Sequence, residues 1–239
     1  MDDVSIGKAL PDSIDEKPSK AAKRTRINSK YILIIIAVLA VIFAISLSNF
    51  SSLNKVARNQ VLILDQLHQL NKEGKLDEER GYMYNGYSFV FNDGLWWMEK
   101  EVFGTLVKVP LHFGPKQVED VPITGQLDPA FNEGDKVYLA IDPEVRNKYY
   151  SLAVSELSFN IAKGIGREPV GSCTADNWAC ENRTIVNCQN TSGKPVIELV
   201  LQNRTGIEMS GSCIKITGQE FGIVKAANRV LYRWYGVMK

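Results

Sequence analysis

The stretch YILIIIAVLAVIFAISL, Tyr31 to Leu47, contains no charged residue, no proline and no glycine, and Ser46 is its single polar side chain. Extended through Phe50 it reaches about 20 residues, roughly 30 Å as a helix, which matches the hydrocarbon thickness of a bilayer. In hydrocarbon every backbone N–H and C=O must find a partner within the segment, and for one isolated segment only a helix achieves that. The reading is therefore a transmembrane helix over residues 31–50, with the lipid bilayer as its partner.

Charge around this run orients it. Just before it fall Lys17, Lys20, Lys23, Arg24, Arg26 and Lys30, against only Asp15 and Glu16 from residue 15 onward, whereas Lys55 and Arg58 alone follow before Asp65. Basic flanks stay in the cytoplasm, so the N-terminus is expected inside and the C-terminal part outside. A cleaved signal peptide would have an apolar core of about 7–15 residues with small residues at the cut. Ala44-Ile45-Ser46 is a weak match, but the core is longer, so an uncleaved signal anchor is preferred. Either reading exports the C-terminal part.

Residues 1–30 mix Asp, Lys, Ser and two prolines with few large apolar side chains, a composition expected to form a disordered cytoplasmic tail. Over 51–80, Leu53, Ala57, Val61, Leu64, Leu67 and Leu70 recur at helical spacing, predicting a helical stalk that ends near Gly74. Too few heptads are present to define a coiled coil, and a homodimer through the stalk is left open. His68 is expected to be a solvated surface histidine there.

Residues 81–239 have the texture of an α+β domain, a mixed or antiparallel sheet with two packed helices. Tyr82, Tyr84, Tyr87, Phe89, Phe91, Trp96 and Trp97 crowd its start, and Asn92-Asp93-Gly94 is a hairpin turn between Tyr87–Phe91 and Leu95–Met98. Further strands are predicted at Thr105–Phe113, Lys136–Ile141, Pro195–Leu201, Ile207–Met209 and Cys213–Thr217, with a short one at Thr184–Cys188. Lys116–Gly125 reads as a connector. Asp142-Pro143-Glu144 is a helix-start signature, predicting a helix to about Lys163. The closing helix, about Gln219 to Tyr235, has Ile223, Val224, Ala227, Val230, Leu231 and Trp234 on one stripe and Gly236 as its stop.

The four cysteines, Cys173, Cys180, Cys188 and Cys213, all follow the apolar run. An even count in an exported segment points to two disulfides, with three pairings available; proximity favours Cys173–Cys180 and Cys188–Cys213. Short metal-ligand spacing and a C-x-x-C are absent, so no metal and no cofactor is expected. Glycosylation sequons at Asn182, Asn190 and Asn203 cluster in the same region, and one at Asn49 lies too close to the bilayer for use. Trp178, a large apolar residue in a short polar loop, is the candidate interaction contact.

Catalytic signatures are missing: no G-x-S-x-G, no H-E-x-x-H and no phosphate-cradling glycine loop. Glu119, Asp120 and Asp176 read as surface carboxylates. A net charge of +1 gives no reason to expect nucleic acid. The segments Tyr84–Trp97, Val109–Pro115, Val137–Pro143 and Ala226–Met238 together resemble a group of uncharacterised single-pass membrane proteins of small-genome archaea. The resemblance covers roughly residues 30–239; it implies an anchor and a cysteine-bearing exterior domain, and no activity. The expected role is a non-catalytic cell-surface module that meets other envelope proteins or glycans. A membrane-anchored exterior enzyme acting on envelope polymers or peptides, and a carbohydrate-binding module using the aromatic cluster, are the alternatives.

Overall fold

A computed structural model describes residues 38, 39, 41–43, 45, 46, 59–102 and 104–239. The chain divides into two compact units, Met1–Val56 and Ala57–Lys239. The expected cytoplasmic tail, most of the apolar run and the first part of the stalk lie outside the described residues. In the first unit, the described residues between 38 and 46 are helical. Val38, Leu39, Val41, Ile42 and Phe43 are more than half exposed, and Ser46 Oγ donates to Ile42 O at 2.9 Å, satisfying its hydroxyl within the helix. Among the described residues no helix is long and apolar enough to cross a membrane.

The second unit begins with helix α1, helical from 59 to 72. It stops where expected: Gly74 N donates to Asn71 O and Lys75 N to Leu70 O, capping the last turn. An antiparallel meander follows, β1 (Gly81–Tyr84), β2 (Tyr87–Asn92), β3 (Leu95–Val102) and β4 (Thr105–Leu111), paired in chain order. Asn85-Gly86 and Asp93-Gly94 make the first two turns with φ positive at both residues, the primed geometry whose twist matches the strands it joins.

Alternation along β2 sends Phe89 to one face and Val90 to the other. Phe89 meets Tyr82 and the edge of Tyr232, whereas Val90 packs with Leu64 and Leu67 of α1. Helix α1 is thus docked on the meander, and polar side chains fix it there. Asn71 Nδ2 donates to Tyr82 O, Ser88 Oγ and Phe89 O at 2.7–3.2 Å. His68 is 1% exposed with Nδ1 2.9 Å from Ser88 Oγ. This corrects the surface reading of His68: the face that carries Leu64 and Leu67 carries it inward too.

The second sheet has six strands in the order β5-β9-β10-β8-β6-β7: β5 (Ile123–Leu127), β6 (Lys136–Ile141), β7 (Glu168–Cys173), β8 (Val196–Leu201), β9 (Gly206–Gly211) and β10 (Cys213–Gly218). Strands β10, β8, β6 and β7 run parallel, β9 runs against β10, and β5 is parallel to β9. Helices α2 (Lys148–Asn160) and α3 (Phe221–Trp234) bury Ala153, Leu157, Val224, Ala227 and Leu231 in one core with Leu139, Ile197, Leu199, Ile214 and Ile216. The fold is α+β with a mixed sheet, as expected.

Three local expectations are corrected. The Asp142-Pro143 signature does not open α2: Asn147 caps it, accepting from Tyr149 N and Tyr150 N, because Asp142 directly follows β6, where its N–H is held by the Tyr150 hydroxyl. The Lys116–Gly125 connector runs into β5 from Ile123 onward. The expected strand Thr184–Cys188 is reduced to two isolated bridges, Cys173 to Ile185 and Asn187 to Asn190.

Candidate functional site

Parallel strands carry their loops at their carboxyl ends, and a crevice opens where neighbouring strands send their connections in opposite directions. That point lies between β6 and β8. After β6 the chain crosses through α2 to β7 on one side; after β8 it turns back through β9 to β10 on the other.

The ladder shows how the crevice is built. Tyr138 N donates to Pro195 O at 2.8 Å, and rungs on this side of β8 recur every second residue. Register runs from Tyr138–Val196 to Ala140–Glu198 and stops. The next rung would join Asp142 N–H to Leu199 C=O. Instead the Tyr150 hydroxyl, carried in by α2, accepts from Asp142 N at 3.0 Å and donates to Leu199 O at 3.1 Å. A side chain replaces a backbone contact and splays the two strands. Burial pushes this hydroxyl up to about 12, so it stays protonated and donates throughout the neutral range.

Beyond the wedge lies a cavity of about 250 Å³ lined by Asp142, Val145, Thr174, Glu198, Leu199, Val200 and Leu201. Asp142 Oδ1 accepts from Glu144 N at 2.9 Å, and Glu198 Oε2 accepts from Cys188 N at 2.8 Å. Neither carboxylate has an ion-pair partner among the described residues.

The excursion between β7 and β8 borders this crevice and carries most of the residues singled out in the sequence. Both disulfides form in the pairing that proximity favoured: Cys173–Cys180, closing the loop that follows β7, and Cys188–Cys213, fastening the excursion to the start of β10. Val186 and Cys188 pack with Ala140, Val196 and Cys213 on the face opposite the helices. Ligand-type atoms of Cys188, Glu198 and Cys213 lie within 4.8 Å of one another, but both sulfurs are bonded to each other and supply no thiolate to a metal.

Trp178 stands 84% exposed on the Cys173–Cys180 loop, in a short 3-10 turn that Asn177 caps by accepting from Ala179 N. Asn177 Nδ2 donates to Glu144 Oε1 at 3.0 Å, tying the Trp178 loop to the loop after β6. Asp176 and Glu181 line the shallow surface beside the indole. Sequon residues Asn182, Asn190 and Asn203 are all exposed, and Asn190 Oδ1 is engaged by Ser192 N and Oγ at 3.2 Å.

The aromatic cluster sits elsewhere. Tyr82, Phe89 and Trp96 are buried, with centroids 4.9 Å apart for Tyr82–Trp96, so these rings are core. Asp120 is exposed and 3.8 Å from Lys225 Nζ.

Sequence reasoning missed two groups. One is the Asp142–Tyr150–Glu198 arrangement just described. The other is a buried network centred on Glu156 of α2. His112 N and Nδ1 meet Glu156 Oε1, and Asn228 Nδ2 donates to Oε2. Asn228 Oδ1 accepts from Phe113 N at 3.0 Å, Asn160 Nδ2 donates to Glu156 O, and Tyr235 Oη donates to Asn160 Oδ1 at 2.6 Å. These bonds join the segment just after β4 to α2 and α3 around one carboxylate. Their sequence separations of up to 115 residues leave no local signal. Compared with known protein families, with characterised proteins and with solved structures, the chain finds no match.

Proposed function

We propose that this chain is a membrane-anchored envelope protein whose exterior unit is a non-catalytic interaction module, meeting its partner through the face around Trp178. One observation carries the reading: the most exposed large apolar side chain among the described residues sits on a loop closed by a disulfide. An indole held in water forgoes its burial energy in the free protein, and the closed loop has little conformational freedom left to lose on binding. Central tryptophans of interfaces commonly contribute about 2–4 kcal/mol. Two disulfides suit an oxidising exterior compartment, and the exposed apolar side chains of Val38, Leu39, Val41, Ile42 and Phe43 suit a lipid surrounding. The exposed sequon residues suit glycosylation in a host that performs it, and the buried rings of the meander offer no sugar platform.

The test is site-specific photocrosslinking of the full chain in intact cells, with a photoreactive phenylalanine analogue at position 178 and, as control, at exposed Phe159. A discrete adduct at 178 that is absent at 159, together with at least tenfold weaker recovery of the same species by Trp178→Ser, is expected. No adduct at 178, or the same adducts at both positions, overturns the proposal.

A further inference from the structure

We propose that the slot between the splayed ends of β6 and β8 accepts an extended peptide segment bearing a basic side chain. The proposal names the partner chemistry of the face just described, and it rests on that face being an interaction surface.

Backbone geometry comes first. Leu199 and Leu201 lie two residues apart on β8, so their N–H and C=O groups point to the same side. Leu199 O accepts from the Tyr150 hydroxyl, whereas Leu201 projects past the wedge, where β6 no longer pairs with β8. The opposite edge of Leu201 is paired with Gly218 of β10. One amide N–H and one carbonyl therefore face a cavity rather than a strand, and the group that satisfies both in register is another length of extended backbone.

Charge comes second. Asp142 and Glu198 flank the cavity, each with one oxygen engaged by a backbone N–H and without an ion-pair partner among the described residues. Glu144 and Asp176 lie on the bordering loops. Lys215, the neighbour of Glu198 by register on β10, makes no ion pair with it among the described residues. A lysine or arginine entering between the two carboxylates meets complementary potential on both sides.

Size comes third. About 250 Å³ falls just below the roughly 300 Å³ at which pockets for drug-sized ligands begin. It suits a single side chain with its flanking backbone rather than a nucleotide or a prosthetic group. The apolar lining, Val145, Val200 and Leu201, suits the methylene stem of a long basic side chain.

The experiment uses the full chain in detergent micelles, labelled with 15N-leucine, and the probe N-acetyl-Val-Lys-Val-amide. Saturable movement of the Leu201 amide resonance is expected, with slowed hydrogen exchange at that amide, and no saturation is expected with N-acetyl-Val-Glu-Val-amide. Asp142→Asn and Glu198→Gln keep the acceptors for Glu144 N and Cys188 N while removing charge, and each should weaken the lysine probe about tenfold. Saturation that leaves Leu201 unmoved, equal binding of the two probes, or no binding of the lysine probe overturns the proposal. Comparison of the two probes on the unsubstituted chain stands whether or not the variants fold. The crosslink at position 178 and the Leu201 response are read in separate experiments on separate probes, so loss of one is distinguishable from loss of the other.

Discussion

Acidification should loosen α1 from the meander through one residue, His68. Burial lowers its pKa from 6.5 to about 4; Glu99 and Asp65 oppose the change, and Lys108 and Lys72 reinforce it. In the unfolded chain the imidazole titrates near its ordinary value, so between pH 6.5 and 4 the unfolded state binds more protons than the native state. Stability therefore rises with pH across that window: the contribution is fully present above about pH 6.5 and is lost as pH falls through 4. With 1.36 kcal/mol for each pH unit separating the two values, the full effect is about 3 kcal/mol, most of it lost by pH 4.5. The comparison is with His68→Asn, whose amide reaches the Nδ1 position and hydrogen-bonds Ser88 without titrating. Urea unfolding of the full chain in micelles, followed by tryptophan fluorescence at pH 7 and 4.5, gives the two differences. The unsubstituted protein should lose about 2–3 kcal/mol more than the variant. Equal losses would refute the docking of α1 through a buried neutral histidine.

Other outcomes follow from the same structure. Glu156→Ala leaves the donors of His112 and Asn228 without their acceptor and should lower stability by about 3 kcal/mol or more, read from the urea midpoint. Mass spectrometry without reductant should find no free thiol and the two bridges Cys173–Cys180 and Cys188–Cys213. Reduction should be more damaging at the second, whose 25-residue separation corresponds to about 3.5 kcal/mol of loop closure, against about 2.5 kcal/mol for the 7-residue separation of the first. Val38→Arg should disfavour membrane integration by about 2.5–3.5 kcal/mol, measured as the fraction of chain extracted by alkaline carbonate.

Much of the fold was legible because its signals are local. Lys136–Ile141 and Cys213–Thr217 carry β-branched and apolar residues at strand length, and Asn92-Asp93-Gly94 demands a hairpin. Gly74 and Gly236 mark the ends of α1 and α3. Strand β7 was not legible: Pro169 and Gly171 weaken it, and its position at the sheet edge tolerates both. Strand β5, interrupted by Gly125 at the opposite edge, failed for the same reason. The Asp142-Pro143 signature misled because tertiary structure holds Asp142 just past β6 against Tyr150 and moves the helix start to Asn147. Trp178 was visible as an incongruity of composition. The slot beside it was not, because it exists only where a ladder stops between strands more than fifty residues apart, and no pattern along the chain records where Tyr150 will insert.

Whether the Trp178-bearing unit lies outside the cell is tested directly by treating intact cells with a membrane-impermeant amine reagent, followed by peptide mapping. Lys72, Lys75 and Lys136, each more than half exposed at the side chain, should be labelled, while Lys17, Lys20, Lys23 and Lys30 should react only after the cells are opened. Labelling confined to the lysines before residue 31, or none until lysis, would contradict the assignment.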